Sequence, residues 1–410
     1  MEYPQLRPLE AFPVEHEGKR FICFRDPQGY LEAPLFMPME LFGIIQHFDG
    51  SNSLRDVQAA FMRQQGELLH MEQLEAIVRE MDQVFLLESD SFRSAVSQAH
   101  EAFRRLKVRP SALAGRSYPA EADELTDQLE GFFTAPGGPG PVSDEVETDG
   151  RLTAAVAPHI DYARGGVCYA YTYKALRESS RACCFVILGT CHQPINQPFC
   201  LTRKAFETPL GVVPTDGAFI DSLQGRVDYD LFEDEFIHRS EHTIELQAVF
   251  LQHITAGRRP FRIVPILVGS FHENLSTGTS PMAAEPIGQF IEALRETIDE
   301  ASEDVCLVGS ADLAHVGPRF GDPQPLDEAD WERVKRDDLS LMDHVAAADA
   351  EGLFREMVDQ GDRNRICGFP PIYTLLAVLD DQAQGRLLNY GQWPDAYSTV
   401  TYASLVFQRT

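Results

Sequence analysis

Apolar positions follow two different rhythms along this chain. In the first hundred residues they come in short blocks cut by turn formers. Arg20 to Phe24 reads as a short strand, and Met39 to Phe48 as a buried helix ended by the Asp49-Gly50-Ser51 break. Ser53 is placed to cap a helix over Leu54 to Gln65, and a further helix is predicted over Met71 to Met81, before the apolar patch Val84 to Leu87. A hairpin with three short helices predicts a small α+β, winged-helix-like domain over residues 1–90. Ser91 to Leu106 has helical spacing, so residues 91–108 are expected to be a helical linker.

Ala135 to Gly150 is rich in Pro, Gly and acidic residues and reads as an exposed loop. From Arg151 onward, strand and helix patterns alternate. Leu152 to Ala157, Phe185 to Leu188, Ile263 to Val268 and Val305 to Val308 are continuous apolar runs separated by helix-length segments. Strands without polar alternation are covered on both faces, as parallel strands are. Residues 109–410 are therefore expected to form an α/β domain with a layered, mostly parallel sheet.

Composition narrows the partners more than the fold. The chain is 44% hydrophobic and 24% charged, ordinary for a globular protein. Its 35 basic and 63 acidic residues give a formal charge of −28. Such a surface repels phosphate backbones and anionic lipid, which argues against nucleic acid and membrane as partners. The start has no basic stretch followed by an apolar one, and no apolar run reaches membrane-spanning length. The eight cysteines follow no disulfide-scaffold spacing. Together these features predict a cytoplasmic protein with free thiols.

The chemistry-bearing residues fall where strands end. His159 follows the strand that ends at Ala157, His192 follows the Phe185 strand, and Asp312 and His315 follow the Val305 strand. Ligands of open α/β sheets bind beyond the carboxyl ends of strands, so three such strands point to one site. Cys367 precedes an apolar helix with prolines in its first turn, where backbone amides favour thiolate. The alternative for Cys367 is a buried structural cysteine. Ser240 is a plausible cap for a helix carrying Glu241, His242 and Glu245, with the two glutamates on one face. Buried carboxylates need partners, and orienting a metal-bound imidazole is one such role; a solvated first turn is the other. His47, His70, His100, His253, His272 and His344 read as surface or satisfied histidines.

These motifs resemble the Memo-like family. APHIDYARGG is similar to that family's PHAGY segment, ILGTCHQ to its ILGPSHH, EHTIE to its EHSIE-type helix, GSADLAHVG to its SSDF-H-G, and CGFPPI to its CGRHPI. AGRSYPAEADEL, from Ala114, resembles its opening segment and YSTVTYASLVF its closing strand, so the resemblance runs from about Arg109 to the end. It implies pocket residues at His159, His192, Cys367, Asp312 and His315. The second histidine of the family's SHH is Gln193 here, and the basic pair after the cysteine is replaced by Phe369-Pro370. These departures bear on substrate more than on metal.

The resemblance implies a fold similar to class III extradiol dioxygenases and a bound iron(II) or copper, with zinc compatible with the same donors. His159, His192 and Cys367 are then the expected metal ligands. Asp312 and His315 are the expected catalytic groups, and Glu241, His242 and Glu245 orient the ligands. The corresponding function is a metal-dependent redox enzyme acting on a small molecule or peptide. Bacterial members are identified as AmmeMemoRadiSam system protein B, which implies radical SAM and Ammecr-type partner proteins. The N-terminal pattern resembles PqqD-type peptide-binding domains. Three other readings stay open: a peptide-binding or signalling adaptor with a vestigial pocket, a zinc hydrolase, and a Cys367–His315 nucleophile pair.

Overall fold

A two-residue turn organises the N-terminal unit, Met1–Leu106. Glu17 and Gly18 both take left-handed angles, φ 50° and 72°, as a type I′ hairpin requires. The turn joins β1 (Glu10–His16) to β2 (Lys19–Arg25), and β3 (Leu35–Pro38) completes an antiparallel sheet in the order β1-β2-β3. The computed structural model describes residues 1–410 apart from 27, 32, 144–151, 381, 396 and 410. The acidic part of the expected Ala135 to Gly150 loop, 144–150, lies outside the described residues.

The helix expected over Met39 to Phe48 is shorter than its apolar pattern. A 3₁₀ turn at Met39–Leu41 leads into α1 (Phe42–Ile45), and the chain turns at Gly50, φ 81°. Next comes α2 (Leu54–Gln65), where Asp56 N donates to the Ser53 hydroxyl at 3.3 Å and Ser53 N donates to the Asp56 carboxylate at 3.0 Å. That reciprocal cap satisfies two otherwise orphaned amides. α3 (Met71–Gln83) and α4 (Asp90–Arg105) follow. Ile45, Phe48, Val57, Leu74, Val78 and Leu87 pack against Ile22 and Phe24 of the sheet.

The second unit, Lys107–Thr410, opens with β4 (Val108–Arg109) and α5 (Ala122–Thr134). β5 (Leu152–Ala157), α6 (Tyr162–Ser179) and β6 (Cys184–Thr190) lead to three short strands, β7 (Phe199–Leu201), β8 (Ala205–Thr208) and β9 (Gly211–Val213). α7 (Gly217–Gln224), α8 (Thr243–Thr255), β10 (Arg262–Val268), α9 (His272–Thr277) and α10 (Glu285–Asp299) come next. The chain finishes with β11 (Val305–Ser310), β12 (Asp312–Val316), α11 (Glu328–Ala346), α12 (Ala350–Gln360), α13 (Phe369–Val378), β13 (Ala383–Asp395) and β14 (Ser398–Arg409).

The fold is α/β, with a mixed sheet ordered β12-β14-β5-β11-β6-β10-β7, and with β13 paired to β14. Its centre, β5-β11-β6-β10, is parallel. The flanks differ from the mostly parallel expectation: β14 runs antiparallel to β5, β12 and β13, and β7 antiparallel to β10. A hairpin at the end of the chain needs no crossover helix, so β14 can fill the free edge of β5 in the antiparallel sense. Helices cover both faces. Ile220, Phe290, Leu341 and Leu375 pack on one side of the sheet, and Leu125, Tyr173 and Phe250 on the other. This double cover is why Phe185, Val186, Ile187 and Leu188 are all 0% exposed and show no polar alternation.

Two local corrections matter for the site. The helix expected from Ser240 starts at Thr243, with His242 as its cap, so Glu241 precedes it. The chain also does not leave the sheet after β11. It swerves at Ala311, whose amide donates to Ala157 O at 2.9 Å, and re-enters the sheet as β12. All eight cysteines are free. No described helix is long and apolar enough to cross a membrane.

Candidate metal centre

Three imidazoles meet beyond the carboxyl ends of β5 and β6 and at the start of α8. His159, His192 and His242 each offer a ligand atom, and these atoms lie within 4.8 Å of one another. The His192 and His242 rings stack at 4.9 Å, and His159 turns its edge toward both, at 5.1 and 5.5 Å.

Hydrogen bonds decide which nitrogen each ring leaves available. His192 Nδ1 lies 3.2 Å from both Glu241 oxygens, and His242 Nδ1 lies 3.0 Å from Glu241 Oε1. His159 Nδ1 lies 3.1 Å from the Ser310 carbonyl. Ionised carboxylate and carbonyl oxygens only accept, so each Nδ1 carries a proton and Nε2 is the nitrogen each ring can offer a cation. Glu241 also accepts the backbone amides of His192 (2.9 Å) and His242 (2.8 Å). Burial opposes its charge, yet the bonds from the two imidazoles hold its carboxyl well below the usual range.

Asp312 is 3% exposed and fixes the turn that carries His159. Its Oδ1 accepts from His159 N at 2.9 Å and Ile160 N at 3.1 Å, while Oδ2 lies 3.7 Å from His159 Nε2. Burial raises its pKa. Burial, with the neighbouring imidazoles, pushes His159 well below the usual histidine range. Burial also disfavours the charged form of His192, but the bond to Glu241 and its charge outweigh this and raise it.

Cys367 Sγ stands 3.3 Å from His159 Nε2. Burial outweighs the helix-terminus stabilisation of a thiolate at Cys367. Cys367 lies before the Gly368 cap of α13, and burial, with Asp312 beside it, pushes the thiol well up. A bound cation offsets that penalty.

His315 Nδ1 lies 3.0 Å from the Leu313 carbonyl, and its ring meets Phe320 edge-on. Burial lowers its pKa. It shares a cavity of about 420 Å³ with His159, His192, His242 and Asp312, and Arg164 and Arg319 line the same space. A smaller cavity of about 260 Å³ is lined by His192, Cys367, Phe271 and Phe369.

Residues 109–406 match the family model described as Memo-like protein. The chain belongs to the Memo-like family. A MEMO1 family protein of Aquifex aeolicus is 26% identical over 403 residues, covering 97% of this chain and 99% of that one. A MEMO1 family protein of Thermococcus kodakarensis is 32% identical over 316 residues, covering 74% of this chain and all of the other. One from Methanopyrus kandleri is 31% identical over 308 residues, covering 73% and 99%.

Within this Memo-like unit, the structure brings His159, His192, Asp312, His315, Glu241 and Cys367 together. It adds His242 to the imidazole cluster, where the sequence reading made it a supporting residue. Its place at the helix cap, next to Glu241, was the available signal. Glu245 is placed elsewhere. Its carboxylate forms a buried ion pair with Arg109, accepts from Ser111 Oγ (2.7 Å), Ala112 N (2.9 Å) and Leu113 N (3.0 Å), and is bonded by Tyr118. It pins the segment that carries Leu113 and Ser117 to the cavity wall rather than orienting an imidazole.

Proposed function

We propose that this Memo-like protein is a metal-dependent redox enzyme. His159, His192 and His242 hold iron or copper through Nε2, and Cys367 supplies a further donor. The observation that carries this reading is the common orientation of the three imidazoles, each with Nδ1 committed to an acceptor. Imidazole and thiolate together suit iron, copper and zinc. A bound redox metal supplies electron exchange and polarises a ligand oxygen. The chain supplies the remainder. Glu241 and the Ser310 carbonyl hold the imidazoles in place, and Asp312 shapes the His159 turn. His315 lines the same cavity and is the candidate proton-transfer group, since imidazole titrates near neutrality.

Metal analysis of anaerobically purified protein tests this. About one iron or copper per chain is expected, lost in His159→Ala and in His242→Ala and reduced in Cys367→Ala. Zinc with hydrolytic turnover would move the protein to the hydrolase class. No bound metal in any form, even after reconstitution, would end the reading.

A further inference from the structure

We propose that residues 361–367 form a strap clamped by α11, and that Asn364 is the positioning residue that sets where Cys367 stands against His159. This rests on the metal reading above and deepens it, because it assigns a mechanism for presenting the thiol.

The strap joins α12 to the Gly368 cap of α13. Two of its non-glycine residues are left-handed, Asp362 at φ 44° and Arg365 at φ 52°. L residues rarely take this conformation, and it persists only where neighbours hold it. β12 holds one edge. His315 N donates to Asn364 O at 2.8 Å, Arg365 Nε donates to His315 O at 2.9 Å, and Gly368 N donates to Asp312 O at 3.1 Å. The strap therefore ties the position of Cys367 to the strand that carries Asp312 and His315.

α11 holds the middle. Asn364 is 1% exposed, and both ends of its amide are engaged. Its Nδ2 donates to Asp337 Oδ2 at 3.2 Å, and its Oδ1 accepts from Arg333 at 3.0 Å. Asp337 is itself buried and paired with Arg363 at 2.8 Å. The amide is matched on each side, to an acceptor-only carboxylate and a donor-only guanidinium. Losing that match loosens the middle of a strained segment whose remaining ties, at Arg365 and Gly368, flank Cys367. The imidazoles are held by Glu241, by the Ser310 carbonyl and, for the His159 turn, by the Asp312 carboxylate, none of which bonds the Asn364 amide, so loss of that amide's match moves the thiol more than the rings.

Cobalt(II) separates these groups. In the 410-residue chain, a near-ultraviolet charge-transfer band reports cobalt bound to thiolate, while visible ligand-field bands report the coordinated metal as a whole. In N364D two carboxylates face each other. The thiolate band is expected to fall at least twofold, with cobalt stoichiometry kept. The exchange variant N364D/D337N restores an amide facing a carboxylate and is expected to recover the band. Urea midpoints measured in parallel show whether each variant is folded. Should N364D not fold, R333Q removes one partner of the amide and carries the same test. An undiminished thiolate band in N364D, or in R333Q if it is needed, would overturn the proposal, as would an exchange variant that folds but stays as weak as the single one. Cobalt uptake without a thiolate band in the wild type would overturn Cys367 as a donor and leave the imidazole site standing. No uptake by the wild type would overturn the metal reading itself.

Discussion

Glu241 and Glu245 are four residues apart, buried to 5% and 0% exposure, and both are held below the usual carboxylate range against the cost of burial. They nevertheless do different work. Glu241 precedes α8 and faces two imidazoles, whereas Glu245 lies inside the helix and faces Arg109. The identity of the partner decides the role. An imidazole remains a metal ligand while its Nδ1 proton is held by a carboxylate. A guanidinium has no lone pair to offer, so its pairing with a carboxylate serves structure. A buried carboxylate near a site is therefore informative only once its partner is known.

The largest effect is expected at the structural member of the pair. Glu245→Gln leaves Arg109 charged and buried without a carboxylate, which costs roughly 3–5 kcal/mol of stability. Urea denaturation measures this, while the folded fraction should still take up metal stoichiometrically. Equal loss of metal and stability would erase the distinction between the two glutamates. For Glu241→Gln the order reverses. Metal affinity is expected to fall about 10–100-fold, as for other residues that orient ligating histidines, with the smaller change in the urea midpoint. Competition with a chromophoric chelator gives that ratio, and unchanged affinity would remove Glu241 from the site.

A third buried carboxylate sharpens the comparison because no cation pairs with it among the described residues. Asp338 accepts from Tyr390 OH at 2.8 Å, and burial pushes its pKa up to about 7. Its folded pKa lies above the unfolded value, so the folded state keeps a proton that the unfolded state releases. The penalty is absent below about pH 4, grows as pH rises toward 7, and stays constant above that. Asp338→Asn should therefore gain on the order of 4 kcal/mol at pH 8 and nothing at pH 3.5, read from urea midpoints at the two values. A gain of equal size at both would show that ionisation is not its cause.

Much of the fold was legible in the sequence, for identifiable reasons. Continuous runs such as Phe185 to Leu188 mark strands covered on both faces, and Ser53 marks the start of α2 because its cap chemistry is local. The mixed character of the sheet was not legible, since the direction of β14 depends on which free edge it reaches. Among the site residues, His159, His192, Asp312 and His315 stood out because each follows a strand. His242 was seen but given a supporting role, because a helix was read from Ser240 onward. Glu245 was read as orienting an imidazole, because its partner Arg109 lies far away along the chain and the ion pair could not be seen.

The sequence by itself determined the residue types that can hold a metal, their positions at strand ends and the covered strands that carry them. These are local properties, written in side-chain chemistry and in the spacing of apolar residues. Tertiary structure alone decided that three imidazoles converge, that Glu241 serves them while Glu245 serves Arg109, and that the Cys367 thiol stands against His159. Those outcomes depend on partners distant in sequence and on burial, and only the folded chain brings both about.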